Sequence, residues 1–184
     1  MTNEKKLEPM PDLHFKCMMW LYKFTDLIWN PRRHLKKIPL KGGMVVVDYG
    51  CGPGRYTIPA AKLVGQEGKV FAVDIHPLAI NVVKEKAARE FLTNIEAILV
   101  DSYSTGIQGS SIDLVLLIDT LHMINDYQAL FREFHRLLKQ DGFIFMDPEH
   151  MKMSRAREIV ESTGLFTIVE CRGHDVLVAP KAKQ

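Results

Sequence analysis

Four acids and a histidine stand where chemistry could use them. Asp48 precedes three glycines at alternate positions, Gly50, Gly52 and Gly54, with Cys51 and Pro53 between them. Asp74-Ile75, Asp101-Ser102 and Asp119-Thr120 each close an apolar run, and His122 follows shortly after the last. Glycine accepts positive φ and lets another group come within contact of the backbone. A strand that ends in such a turn and feeds a helix is expected to leave N–H groups pointing into a crevice. In open α/β sheets that crevice is where nucleotides sit. Asp74 lies 20 residues after Gly54, close to the interval at which an acid meets ribose hydroxyls in such units. A carboxylate there accepts both vicinal hydroxyl protons in charge-assisted bonds. The dinucleotide fingerprint wants glycine at its first, third and sixth positions. Counted from Gly50, the sixth is Arg55, which would hinder the helix–strand contact that glycine allows.

These residues need strands beneath them and helices between. Val45-Val46-Val47 reads as part of a strand buried on both faces, Met44 to Asp48. A helix from Tyr56 to Val64, with Pro59 near its first turn, ends at Gly65 and Gly68. Lys69 to Asp74 is the second strand, Pro77 to Glu90 a helix, and Asn94 to Asp101 the third strand. Few residues separate Asp101 from a fourth strand, Ile112 to Ile118, so the intervening helix is short or missing. The loop Tyr103 to Gly109 is then expected to be open and mobile. Asp126 to Lys139 is an amphipathic helix, and Gln140-Asp141-Gly142 turns it into a fifth strand, Phe143 to Asp147. Gly142 is expected to supply positive φ at that helix end. A helix from Ser154 to Ser162 leads to a closing hairpin, Phe166 to Cys171 and Asp175 to Ala179.

Asp48-Tyr49-Gly50-Cys51-Gly52-Pro53-Gly54 resembles the first motif of the class I S-adenosylmethionine-dependent methyltransferases. Asp119-Thr120-Leu121-His122 resembles the family's fourth motif, and Leu137 to Phe143 its later leucine–leucine–lysine–proline–glycine–glycine segment, with the proline and first glycine replaced. The resemblance runs from Met44 to Pro180 and is nearest to the ubiquinone- and menaquinone-biosynthesis type. It implies an α/β fold: a Rossmann-like, doubly wound, seven-stranded sheet, mostly parallel with a C-terminal antiparallel hairpin, plus N-terminal helices. It implies S-adenosyl-L-methionine as cofactor, held by Asp48, Gly50, Cys51, Gly52, Gly54, Asp74, Ile75, Asp101, Ser102, Asp119 and Thr120. Asp101 and Ser102 would meet the adenine, and the Asp119 loop would flank the transferable methyl. The Asp/Asn-Pro-Pro-Tyr/Phe motif of nucleobase-amine enzymes is missing, which counts against that substrate class.

Length and charge set the remaining bounds. A chain of 184 residues suggests one compact domain, with residues 1–41 as a helical cap on a methyltransferase domain of 42–184. Up to Lys41 nine Lys and Arg face four Asp and Glu, whereas the rest is slightly acidic. Cys17, Cys51 and Cys171 match no metal spacing, so no metal is expected and reduced thiols suit a cytoplasmic setting. The first ten residues resemble neither a signal nor a transit peptide, and no apolar run reaches the ~18–20 residues of a membrane span. Leu13 to Trp29 reads as a helix packing Leu13, Cys17, Trp20, Leu21, Phe24, Leu27 and Ile28 on one side. Asn30-Pro31 caps a second, basic helix. The pair could lid the crevice.

Methyl transfer is a displacement in which alignment supplies much of the rate. A base is needed only if the nucleophile must lose a proton. His122, Tyr56, His150 and Asp147 are the candidates, with His122 best placed beside the fourth motif. The expected acceptor is a small molecule and the expected state a monomer or homodimer. Nucleic acid is not an expected partner. The alternatives are an RNA or protein methyltransferase and a cofactor-binding module without turnover.

Overall fold

The fold is seen in a computed structural model that describes residues 7–28 and 31–183. Asn30, the expected cap, and Trp29 lie outside them. Two helices, α1 (Asp12–Ile28) and α2 (Pro31–Leu35), precede the first strand. The order is then β1 (Val45–Tyr49), α3 (Thr57–Val64), β2 (Lys69–Asp74), α4 (Pro77–Arg89), β3 (Ile95–Leu99) and β4 (Ile112–Ile118). It continues with α5 (Tyr127–Leu137), β5 (Leu138–Asp147), α6 (Met153–Ser162), β6 (Phe166–Arg172) and β7 (Asp175–Pro180). Among the described residues one sheet has the order β3-β2-β1-β4-β5-β7-β6. Pairings within β3-β2-β1-β4-β5 are parallel, and β7 runs antiparallel to both β5 and β6. This is the expected mostly parallel, doubly wound sheet with its terminal hairpin.

Strand alternation divides the core into two layers. Val46, Leu114 and Leu116 point to α2 and α3, where Leu35, Ala60, Ala61 and Val64 meet them. Val47, Val115 and Leu117 point to the other face, against Leu130, Phe131 and Phe134 of α5 and Ile159 and Val160 of α6. Both faces are covered, so the central strands read as unbroken aliphatic runs.

Four expectations need correction. β3 ends at Leu99, so Asp101 lies beyond the strand. Gln140-Asp141-Gly142 is not a turn: α5 ends as Leu138 takes extended angles, and β5 begins at once. The extra residues are absorbed as a bulge between the Ile112–Leu138 and Leu114–Phe143 pairs. Gly142 lacks positive φ; its role is close packing, since a Cβ would press within 2.9 Å of the Ile112 carbonyl.

The third correction is the loop after β3, which is pinned rather than open. Thr105 donates from its N–H and hydroxyl to Glu133 Oε1 (2.9 and 2.7 Å), and Arg136 donates to the Ile107 carbonyl at 2.8 Å. Burial alone would raise the Glu133 carboxyl, but Arg136 and Thr105 bind its charged form and hold it below its usual range.

The fourth is the face of α1. Phe15 is buried and Met18, Met19 and Tyr22 half-buried, whereas Leu13, Trp20 and Leu21 are 70%, 62% and 53% exposed and Cys17 is exposed. The side chains of Phe24, Leu27 and Ile28 are not among those described. Among the described residues no helix is long and apolar enough to cross a membrane.

Candidate active site

At the carboxyl ends of β1, β2 and β4 lies a cleft of about 440 Å³. β1 stands between β2 and β4, the point where strand order reverses and open α/β sheets bind ligands. The size falls in the range of small-ligand sites, roughly 300–1,000 Å³.

The glycine turn forms the floor, and its N–H groups do not point into the crevice as expected. Gly50 and Cys51 both donate to the Val73 carbonyl (2.8 and 3.1 Å), and Gly54 donates to that of Cys51 at 3.0 Å. Gly52 donates to Asp74 Oδ2 at 2.8 Å. Three of these donors are therefore spent on β2 and one inside the turn, which offers room rather than positive dipoles. Gly50 has φ +75°, and a Cβ there would collide with the Thr120 side chain across the cleft. Gly54 has φ +77° and would press on Val83 of α4 at 3.1 Å, so the helix–strand contact falls to this glycine and Arg55 need not make it.

Asp48 is buried beneath the turn and accepts the Thr57 hydroxyl at 2.5 Å. Desolvation pushes its carboxyl up to about 7, against the Thr57 hydrogen bond that favours the ionised form. Asp74 Oδ1 accepts from the His76 N–H at 2.8 Å, so the carboxylate ties the glycine turn to the start of α4. Each oxygen keeps a lone pair for a ligand. Burial raises the Asp74 carboxyl, with those backbone bonds opposing.

Ile75, Asp119 and Thr120 line the cleft with Cys51. Asp119 sits at φ +51°, uncommon for a residue with a side chain. Its buried Oδ1 has no hydrogen-bond partner among the described residues; His150 Nε2 and His122 Nδ1 lie 3.4 and 3.6 Å away. Burial raises the Asp119 carboxyl, and the two histidines work against that rise.

Three site expectations are not met. Asp101 and Ser102 do not line the cleft; their neighbours Val100 and Tyr103 do. With β3 ending early, the chain turns so that Asp101 is exposed and its carbonyl accepts from Leu7 at 2.9 Å. His122 does not line it either. It is exposed, with its ring edge-on to His150 at 5.0 Å, because a short 3-10 turn (Leu121–Met123) swings it outward. Tyr56 does line the cleft.

Several lining residues carried no signal in sequence. Phe15 of α1 stacks on His76 at 4.4 Å, and His76 accepts from Leu78 N–H to cap α4. Arg55 lies 4.1 Å over the Tyr22 ring. Helix α1 thereby forms a wall of the cleft, with Met18 between these contacts. An aromatic beside an N-terminal polar stretch could have signalled a wall, but not which wall.

The fold and cleft define the class I methyltransferase architecture. The chain belongs to the methyltransferase-domain family, whose profile matches residues 40–177. It is 30% identical over 117 residues to the demethylmenaquinone methyltransferase of Staphylococcus aureus strain MRSA252, covering 64% of this chain and 47% of that protein. The chain thus spans about half the length of the curated relatives it matches. Among solved structures it is similar to a SAM-dependent methyltransferase from Aquifex aeolicus, with a TM-score of 0.76 at 23% identity over 83% of this chain and 90% of that one. It is similar also to a protein from Methanococcus maripaludis described as S-adenosyl-L-methionine-dependent, with a TM-score of 0.79 at 16% identity, covering 100% and 98%. At these identities the structures speak for the fold.

Proposed function

We propose that the protein is an S-adenosyl-L-methionine-dependent methyltransferase acting on a small-molecule acceptor of the hydroxylated ring type. One observation carries the cofactor reading: the N–H groups of Gly50, Cys51, Gly52 and Gly54 are bonded within the chain. A pyrophosphate needs such donors, whereas an adenosyl sulfonium carries no phosphate and needs space and carboxylates. The residues present fit the group. Gly52 faces open room, Asp74 keeps lone pairs for ribose hydroxyls, and Asp48 lies below as an acid for the amino group. Ile75, Val100 and Tyr103 offer apolar walls for a purine. Asp119 and Thr120 border the reacting centre.

When bound, the cofactor supplies a methyl already activated on sulfur. The chain's own part is to bind, align and exclude water. Alignment of reacting atoms at about 3–3.5 Å accounts for much of such a rate, and α1 shields the cleft beside Tyr22 and Phe15. The name of the S. aureus relative supports a small, ring-type acceptor. The basic N-terminal stretch is the lone support for an RNA or protein acceptor.

The test is calorimetry followed by product analysis. S-adenosylmethionine and S-adenosylhomocysteine should bind one per chain, and NAD should give no heat. Incubation with methyl-labelled cofactor and reduced naphthoquinones should then yield a methylated product by mass spectrometry. Tight NAD binding without adenosyl binding refutes the cofactor. Adenosyl binding with no transfer to any small acceptor favours the non-catalytic module.

A further inference from the structure

A second constellation lies behind the cleft wall. β5 and β7 pair antiparallel with Met146 opposite Val176, which sets Asp147 beside Asp175. Carboxylates on facing strand positions repel, and His34 of α2 is lodged between them. Its Nε2 lies 2.8 Å from Asp175 Oδ1 and 3.8 Å from Asp147 Oδ2, and its Nδ1 lies 3.0 Å from the Tyr56 hydroxyl. An ionised Asp175 only accepts, so Nε2 carries the hydrogen. The neutral ring then has Nδ1 free to accept from the Tyr56 O–H. Tyr56 and Phe145 meet the imidazole edge-on at 5.7 and 5.4 Å, which fixes its plane.

The two ends of this chain of bonds open into different spaces. Tyr56 lines the 440 Å³ cleft. Asp175 lines a separate cavity of about 280 Å³ with a polar rim of Lys37, Glu170 and Arg172. Burial pushes the Tyr56 hydroxyl up, which suits a group that hands a proton on in the same motion and does not stand as a phenolate.

We propose that Tyr56, His34 and Asp175 form a proton relay that carries the methyl acceptor's proton from the cleft to the second cavity. The relay fits the site to acceptors whose nucleophile is unmasked by loss of a hydroxyl proton, as in phenols, enols and quinols. It rests on the methyltransferase reading given above. The acceptor O–H proton passes to the Tyr56 oxygen as Tyr56 passes its own to His34 Nδ1. The electron pair so released forms the bond to the methyl carbon, and the pair of the broken methyl–sulfur bond stays on sulfur. His34, now an imidazolium between Asp175 and Asp147, releases its Nε2 proton to solvent at the second cavity. Once product leaves, Nε2 takes up a solvent proton there and the Nδ1 proton departs through Tyr56 to the emptied cleft. That restores the Nε2–H ring with one proton lost per turnover. Tyr56 is then the catalytic residue, and His34 and Asp175 position and drain it.

The same His34, Asp147 and Asp175 atoms lie within 4.8 Å of one another, a spacing that a divalent cation could use. The hydrogen bonds at both His34 nitrogens favour the relay, and the experiment separates the two. The first readout needs no turnover. With ¹⁵N-labelled histidine, the relay requires His34 as the Nε2–H tautomer with an unprotonated Nδ1, whose resonance moves in Tyr56→Phe. The Nδ1–H tautomer, or a Nδ1 signal indifferent to Tyr56→Phe, overturns it.

The second readout is kinetic, with reduced naphthoquinone as acceptor. Tyr56→Phe should lower kcat about 100-fold or more while acceptor KM and calorimetric S-adenosylmethionine affinity stay within about twofold. The kcat of wild type should show a solvent isotope effect that the variant lacks. His34→Gly should be slow and recover with added imidazole, which the second cavity admits; a merely structural His34 would not be rescued in kcat alone. Wild-type turnover with Tyr56→Phe equally fast overturns the relay and leaves the methyltransferase reading standing. No product from wild type with naphthoquinol or with any other phenol, enol or quinol offered overturns that reading and the relay with it. Loss of wild-type activity with EDTA, restored by Mn²⁺ or Zn²⁺, assigns the cluster to a metal and overturns the relay.

Discussion

Asp74 brackets the glycine turn and, in the function proposed above, also holds the cofactor's ribose; its substitution separates the two. Its oxygens accept the Gly52 and His76 N–H groups at 2.8 Å each, so Asp74→Ala strands two donors and loosens the glycine turn. Asp74→Asn keeps one carbonyl acceptor but loses the charge. Hydrogen bonds to charged groups contribute about 1.5–3 kcal/mol, so Asp74→Asn should weaken S-adenosylmethionine binding by roughly 10- to 100-fold. Its circular dichroism should stay native, whereas Asp74→Ala should also lower Tm. Calorimetric affinity unchanged in a folded Asp74→Asn would reduce Asp74 to a bracket for the turn. Asp48, Asp74 and the alternate glycines were readable because type and spacing sit in one short window. Asp101 and His122 were misplaced for the opposite reason. Their side-chain directions follow from where β3 stops and from a 3-10 turn, which strand and helix periodicity do not encode. Tyr56 was a candidate in the sequence, but its link to His34 and Asp175 was illegible: the three are joined by bonds spanning 22 and 141 residues of sequence.

At the scale of elements, α1 shows how an apolar helix hides its buried side. Phe15, Met18, Met19 and Tyr22 recur at helical spacing, and so do Leu13, Trp20 and Leu21. Both stripes are apolar, so pattern gives two faces and the partner chooses one. The partner is His76, whose ring Phe15 covers. Strands β1, β2 and β4 needed no such partner choice, being apolar on both faces. The loop after β3 was misjudged because its anchor, Glu133, sits on α5, outside any local window. If α1 lids the cofactor, its amides should exchange more slowly once S-adenosylmethionine is bound, since lids come from the low-stability end of a fold. Phe15→Ala should abolish that protection, lowering turnover more than cofactor affinity. Equal exchange of α1 amides with and without cofactor would make the helix fixed scaffold.

The whole molecule is subject to a proton linkage that its cleft imposes. Desolvation lifts Asp48 to about 7 and Asp147 to about 6, above the ~3.9 of an unfolded aspartate. Between roughly pH 4 and 7 the folded chain therefore binds more protons than the unfolded one, and stability falls as pH rises through that window. Asp48 is the more buried of the two and should dominate. A cationic ligand above Asp48 favours its charged form, so S-adenosylmethionine binding should release a proton near pH 7, seen as a buffer-dependent calorimetric heat. The same linkage sets the thermal shift. Ligand at about 100 times Kd adds about 2.7 kcal/mol, and for a domain of this size each kcal/mol moves Tm by roughly 2–4 °C. The Tm rise should be larger at pH 8 than at pH 6, because at pH 8 Asp48 is already ionised and no proton need leave. Asp48→Asn should be more stable than wild type at pH 8, with the amide oxygen still accepting from Thr57. Its ligand-induced shift should be small and the same at both pH values. A shift in wild type that does not vary with pH would mean that Asp48 keeps one protonation state throughout, and would place the amino group of the cofactor elsewhere.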